Sequence, residues 1–113
     1  MNVLDEIDVM AGKRVSAGAR WLDEVEPGWA ERIDLDDFCL SDGRRCILGQ
    51  LYGRYSDGLD THDLEYEEAK MYGFNLDTLD GKYDQWGEGL FWIRLEEHWI
   101  AEIESRIPQP PLS

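Results

Sequence analysis

The chain has 113 residues, of which 42% are hydrophobic and 12% aromatic, and its formal net charge is −14 at pH 7. This length allows one domain with a single core, and so much apolar and aromatic material excludes a disordered acidic tail. The charge argues against direct binding to nucleic acid or to an anionic membrane, because both surfaces would repel it.

The cysteine spacing and the absence of long apolar runs narrow the class of protein further. Cys39 and Cys46 are seven residues apart, which matches no zinc or redox motif, although a single disulfide between them stays open. No signal peptide is recognisable, and no apolar run approaches the ~18 residues that a membrane span needs. We therefore expect a cytoplasmic protein with reduced thiols and no membrane contact.

The first predicted element is a long amphipathic helix that ends at Pro27-Gly28. Asn2 is a suitable N-cap, and Gly12 could interrupt the helix. Apolar or small residues recur at steps of three and four, the period of one helix face: Leu4, Ile7, Ala11, Val15, Gly18, Leu22 and Val25.

A connector and a second helix follow. The apolar residues of the connector are expected to reach the core: Trp29, Ile33, Leu35, Phe38 and Leu40. The second helix is predicted from Ser41 or Asp42 to about Tyr55. Cys46, Gly49 and Gly53 form a strip on it with almost no side chain, which a helix, a Trp ring or the symmetry mate of a homodimer could cover.

A third helix is predicted from Asp60 or Thr61 to about Tyr72, with Gly73 at the position after its end, where a left-handed residue is favoured. The last helix is predicted over 88–107, and Pro108 ends it.

Together these elements predict an all-α fold. We expect a compact bundle of about four helices, with a turn-rich acidic loop before the last one. Residues 1–107 would form the single helical domain, and residues 108–113 a short Pro-rich tail.

Three stretches resemble a group of small, mostly uncharacterised proteins of actinobacteriophages and related bacterial genomes: "GARWLDEVEPGWAERIDLDDFCLSDGRRCILGQLYG", "YGFNLD" and "LEEHWIAEI". The resemblance implies a phage or prophage origin and a small helical domain, and it supplies no catalytic residue. That group carries a second cysteine three residues before the position of Cys46. Here that position is Gly43, so a C-x-x-C metal or redox pair cannot be carried over.

Metal sites and catalysis find little support in the sequence. Oxygen-bearing side chains surround Gly81 in the loop: Asn75, Asp77, Asp80 and Asp84. An EF-hand in this register would also need ligands at Leu76 and Gly87, which have no side-chain oxygen. Candidates for zinc are scattered singly: Cys39, Cys46, His62 and His98. We read His98 as a structural histidine and predict no catalytic residue, no metal and no cofactor.

The most informative feature is a run of acids that we call the acidic segment, residues 57–68, which contains no Lys or Arg. Its six acids are Asp57, Asp60, Asp63, Glu65, Glu67 and Glu68. The run could be a solvated helix face, a docking surface for a basic protein, or a mimic of the nucleic-acid backbone. Nearby aromatic residues favour a protein interface: Tyr66, Tyr72, Tyr83 and Trp86.

We therefore expect a non-enzymatic, phage-type accessory protein that binds a basic patch of a host protein in the host cytoplasm. The candidate docking residues are the six acids of the acidic segment together with Tyr66, Asp77, Asp80, Asp84 and Trp86. The alternative is a nucleic-acid mimic that inhibits a DNA- or RNA-binding host factor. A metal- or ligand-binding enzyme ranks third.

Overall fold

A computed structural model describes the backbone of residues 3–75 and 85–107 and the side chains of residues 5–75 and 89–107. The predicted cap at Asn2, most of the acidic loop and the tail at 108–113 lie outside these residues. Within them, the chain forms five α-helices, one 3₁₀ helix and no strand. The helices are α1 (Val3–Val25), the 3₁₀ helix (Trp29–Arg32), α2 (Ile47–Tyr52), α3 (Tyr55–Thr61), α4 (Tyr66–Met71) and α5 (Gln85–Arg106).

The all-α prediction is confirmed, and the two long helices carry most of the core. The predicted face of α1 is buried from Ile7 to Leu22, Val25 at its end is partly buried, and the helix continues through Gly12 without a break. In α5 the buried face consists of Phe91, Leu95, Trp99 and Ile103. The helices α1 and α5 pack against each other, and their side-chain pairs join Asp8 to His98 and Asp23 to Arg106. These pairs show that the two helices run in the same general direction.

The second helix is shorter than predicted, because its first residues form turns. The carboxylate of Asp42 accepts a hydrogen bond from the backbone N–H of Arg44, and the backbone N–H of Cys46 bonds to the carbonyl of Asp42. The thiol of Cys46 then caps α2 by accepting the Gly49 N–H at 3.3 Å. Gly53, at a φ of 104°, ends the helix in a conformation that favours glycine.

The prediction of what covers the glycine strip was wrong at Gly49. A Cβ atom on Gly49 would lie 2.5 Å from the carbonyl oxygen of Gly43, so the backbone of the preceding turn covers this position. No Trp ring is needed there, and the Gly49 position has no room for a symmetry mate. The close contact with Trp99 occurs at Gly18, whose hypothetical Cβ would lie 3.1 Å from that ring.

The prediction of one helix from Asp60 or Thr61 to Tyr72 is also wrong, because a turn interrupts this range. Asp63 adopts a φ of 50°, and the backbone N–H of Leu64 bonds to the carbonyl of Leu59. This turn ends α3 at Thr61 and separates it from α4. The part of the chain that the structure describes therefore forms five α-helices in place of the four predicted. Gly73 has the predicted left-handed conformation, with a φ of 75°.

The helices agree with the prediction that no segment spans a membrane. Among the described residues, none of the helices combines the length and the apolar character that a membrane span requires.

Candidate functional site

The acidic segment lies at the surface on α3, on the turn after it and on α4. Its six acids are all exposed: Asp57, Asp60, Asp63, Glu65, Glu67 and Glu68. Because the turn at Asp63 separates the two helices, these acids do not lie along one helix face, which was one of the three interpretations of the run. The segment is a bent acidic surface.

Half of these acids have partners within the segment's own helix. Glu65 and Glu68 form a capping box at the start of α4, in which the Glu65 N–H donates to the Glu68 carboxylate at 3.2 Å. Glu67 lies 3.2 Å from the ammonium group of Lys70. These three side chains therefore stabilise α4.

The other three acids form no such pair, although Asp57 lies in the first turn of α3, where the helix dipole favours a negative charge. In the part of the chain that the structure describes, the carboxylates of Asp57, Asp60 and Asp63 make no ion pair and accept no hydrogen bond. Asp60 also lies in the last turn of α3, where the helix dipole disfavours a negative charge. These three carboxylates are therefore available to an external partner.

Helix α4 adds exposed apolar surface to this charge. Among the described side chains, Tyr66 is 49% exposed and Met71 is 58% exposed. These two residues are five positions apart, so they lie on different sides of the helix. Ala69 is buried, and so is Lys70, which is 8% exposed. Lys70 contributes its apolar stem to the interior while its ammonium group reaches Glu67.

A polar network that the sequence did not reveal anchors the acidic segment to the core. His62, at the end of α3, places its Nε2 atom 2.7 Å from the hydroxyl of Tyr52. That hydroxyl donates to the Glu26 carboxylate at 3.0 Å, and Glu26 also pairs with Arg32. Because a carboxylate only accepts, the Tyr52 hydroxyl uses its proton in the hydrogen bond to Glu26. The Nε2 atom of His62 therefore donates to the Tyr52 oxygen.

Aromatic packing fixes the chain just beyond the acidic segment. The Tyr72 ring, predicted to be exposed, is partly buried and stacks on Trp21 with the ring centroids 5.4 Å apart. The indole N–H of Trp99 donates to the carbonyl of Gly73 at 2.8 Å, and its ring stacks on Phe74 at 5.3 Å. The acidic segment is therefore tied to the rest of the fold at His62 and, past α4, at Tyr72 and Gly73.

The remaining candidate residues cannot be placed. Asp77, Asp80 and Asp84 lie outside the described residues, as does the side chain of Trp86. The predicted extension of the acidic surface through the loop therefore stays a prediction.

The described residues give no support to a metal site or a nucleophile. Among residues 3–75 and 85–107, no group of three or more His, Cys, Asp and Glu side chains could hold a metal ion. Both cysteines are free, and burial raises the pKa of the Cys46 thiol, which makes it a poor nucleophile at neutral pH. His98 pairs with Asp8 at 3.0 Å, as a structural histidine would.

Comparison with protein families, curated proteins and solved structures adds no relative to this picture. The chain matches no protein-family model, no curated protein and no solved structure.

Proposed function

We propose that this protein is a non-enzymatic accessory protein of phage type that binds a host protein through the acidic segment. Its partner would present a basic patch and would meet this surface in the host cytoplasm. The phage origin rests on the sequence pattern alone, whereas the docking hypothesis draws on the geometry of α3 and α4.

One observation carries the proposal: three unpartnered carboxylates and two exposed apolar side chains lie on the consecutive helices α3 and α4 and on the turn between them. Asp57, Asp60 and Asp63 have no intramolecular partner among the described residues, and Tyr66 and Met71 are about half exposed on the adjoining helix. Protein interfaces are enriched in Tyr and Met, with charges at their rim.

The charges would act mainly on the rate of association. A local excess of negative charge attracts a basic surface over about a Debye length, ~8–10 Å at physiological ionic strength. The apolar contacts of Tyr66 and Met71 would then determine how long the complex lasts. Salt should therefore slow binding, while truncation of Tyr66 should speed dissociation.

The test is an affinity capture from the lysate of an actinobacterial host, with a charge-matched control. The test variant combines Asp57→Asn, Asp60→Asn and Asp63→Asn. The control combines Glu24→Gln, Glu31→Gln and Asp36→Asn, three exposed acids whose carboxylates make no ion pair or hydrogen bond among the described residues. Both variants lose three negative charges, so they differ only in the location of the loss.

The proposal expects a partner that the wild type and the control retain and that the test variant loses. The purified partner should then bind with a rate constant that falls with salt, and Tyr66→Ala should weaken the complex about tenfold or more. Equal capture by the test variant and the control would reduce the acidic segment to a solvated surface. A partner that itself binds nucleic acid, and that DNA displaces from this protein, would favour the mimic.

A further inference from the structure

The two cysteines are separated in sequence, and the fold brings their backbones together in the loop of residues 39–46 that precedes α2. The backbone N–H of Cys39 donates to the carbonyl of Arg45 at 3.1 Å, and the backbone N–H of Asp42 donates to the carbonyl of Cys39 at 3.1 Å. Because Arg45 directly precedes Cys46, standard backbone dimensions place the Cα atoms of Cys39 and Cys46 within about 7 Å of each other. Disulfides require Cα separations below about 7 Å, so the backbone allows this pair to be bridged.

Both sulfur atoms lie against residues of the loop that a disulfide would close. The Sγ atom of Cys39 is 3.6 Å from the hydroxyl oxygen of Ser41, and the Sγ atom of Cys46 is 3.8 Å from the carbonyl oxygen of Gly43. Ser41 and Cys46 also line the same half-open pocket, whose volume is about 150 Å³. This pocket provides open space beside Cys46 on the side of Ser41, into which the Cys39 side chain could turn.

We propose that Cys39 and Cys46 form a reversible disulfide when the chain meets a low-molecular-weight disulfide such as glutathione disulfide. The structure holds the reduced form, in which both thiols are free. This modification is independent of the function proposed for the acidic segment.

The two thiols have different roles in the reaction, because Cys39 is partly exposed whereas Cys46 is buried. The Cys39 thiolate attacks one sulfur of glutathione disulfide, the S–S bond of that reagent breaks, and one glutathione leaves as its thiolate. The Cys46 thiolate then attacks the Cys39 sulfur of the mixed disulfide, and the second glutathione leaves. The two thiol protons pass through solvent to the glutathione thiolates. The two electrons lost by the cysteines reduce glutathione disulfide to two glutathione molecules.

The second attack should limit the rate of the reaction. Burial raises the pKa of the Cys46 thiol, so little thiolate is present at neutral pH. Below the pKa the thiolate fraction rises about tenfold for each pH unit, so the disulfide should close about tenfold faster at pH 8 than at pH 7. The mixed disulfide at Cys39 should therefore accumulate transiently at pH 7.

The disulfide would act on the starts of two helices, because the loop supports both. In the reduced form the Cys46 thiol accepts the N–H of Gly49 at 3.3 Å and caps α2. The carbonyl of Gly43 accepts the N–H of Tyr55, the first residue of α3, at 2.7 Å. Oxidation replaces the thiol that caps α2 with a disulfide sulfur. The amide signals of Gly49 and Tyr55 should therefore report on the redox state of the pair.

The test equilibrates the full chain with mixtures of reduced glutathione and glutathione disulfide, once in native buffer and once in urea. After the remaining thiols are alkylated, mass spectrometry measures the fraction of molecules that have lost two hydrogen atoms. This fraction gives the effective concentration of one thiol at the other, which in urea reflects a flexible loop alone. We expect a value at least about tenfold higher in native buffer, because the fold already holds residues 39–46 in the turn that the disulfide closes.

Two variants assign the steps. Cys46→Ser should stop at the mixed disulfide, and Cys39→Ser should stay unmodified because Cys46 is buried. In the wild type, the NMR amide signals of Gly49 and Tyr55 should shift on oxidation and return when dithiothreitol is added. An effective concentration in native buffer no higher than in urea would overturn the proposal, since the fold would then hold the two sulfur atoms apart. A wild type that stops at the mixed disulfide, as Cys46→Ser should, would overturn it as well.

Discussion

The phenol of Tyr52 and the imidazole of His62 lie 2.7 Å apart at the hydroxyl and Nε2, and this contact joins α2 to the end of α3. The same hydroxyl bonds to Glu26, which follows α1. Three parts of the chain therefore meet at one oxygen atom. Because His62 lies inside the acidic segment, this oxygen fixes the position of a surface that otherwise consists of short helices.

Tyr52→Phe should destabilise the fold although it removes a single oxygen atom. His62 and Glu26 would each lose a partner, and the loss of a partly buried hydrogen-bond pair costs about 1–2 kcal/mol in the free energy of unfolding. Urea denaturation followed by circular dichroism measures this difference. Tyr66→Phe is the control, because that side chain is 49% exposed, and its change should stay within about 0.5 kcal/mol. Equal effects of the two substitutions would mean that the network contributes nothing.

The effect of a substitution at Asp63 on the free energy of unfolding should depend on the backbone preference of the new residue more than on its charge. Asp63 has a φ of 50°, which Asn and Gly adopt readily and β-branched residues do not. Asp63→Asn and Asp63→Gly should therefore leave the free energy of unfolding within about 0.5 kcal/mol, whereas Asp63→Val should cost about 1–2 kcal/mol. Thermal denaturation of the three variants tests this order. A neutral Asp63→Val would show that the turn between α3 and α4 tolerates another conformation.

Two glycines in the long helices should respond in opposite ways to alanine. A Cβ on Gly18 would lie 2.0 Å from the carbonyl oxygen of Tyr72 and 3.1 Å from the Trp99 ring, so Gly18→Ala should cost about 2–4 kcal/mol. Among the described residues, a Cβ on Gly89 meets nothing within 4 Å, so Gly89→Ala in α5 should stabilise by about 0.5–1 kcal/mol. Chemical denaturation of both variants and the wild type measures the two changes in the free energy of unfolding. Similar signs for the two would contradict the close packing of α1 against Tyr72.

Asp23 should make the stability depend on pH in the acid range. Arg106 donates two hydrogen bonds to this carboxylate, at 2.9 and 2.8 Å, and this contact lowers the pKa of Asp23 from its usual 3.8. A carboxyl group with a lowered folded pKa stabilises the fold above about pH 4, and this stabilisation is lost as the pH falls through the folded value.

The expected difference between wild type and Asp23→Asn is therefore about 1 kcal/mol near neutral pH, a modest value because Asp23 is 44% exposed and water screens the pair. This difference should shrink as the pH falls from about 4 through the lowered folded pKa. Urea denaturation at neutral pH and at a series of lower pH values measures it. The control is Asp36→Asn, at an exposed side chain that makes no ion pair among the described residues, and it should show no such trend. A difference independent of pH would assign the effect of Asp23→Asn to its hydrogen bonds alone.

The sequence predicted the long helices well and the short ones poorly. In α1 and α5 the apolar period extends over about six turns, which leaves little ambiguity about the buried face. Helices of six or seven residues, such as α2 and α4, contain too few turns for a period to emerge. Their ends are instead set by Cys46, Asp63 and other residues whose conformation depends on distant contacts.

In the candidate site, too, some features could be predicted from the sequence and others could not. The exposure of the acidic segment could be predicted from its composition, because unpaired carboxylates stay in water. The burial of Lys70 and the contact between His62 and Tyr52 could not, since each depends on how separate helices meet.

The shortness of α3 and α4 has a consequence for immunological and peptide-based work on this protein. Isolated helices shorter than about 12–15 residues are marginal in water, and these have seven and six residues. A synthetic peptide of residues 56–73 would lack the contacts with Tyr52, Trp21 and Trp99 that shape the segment. Antibodies raised against that peptide should recognise the denatured protein on a blot and fail to bind the native one, because the epitope is conformational.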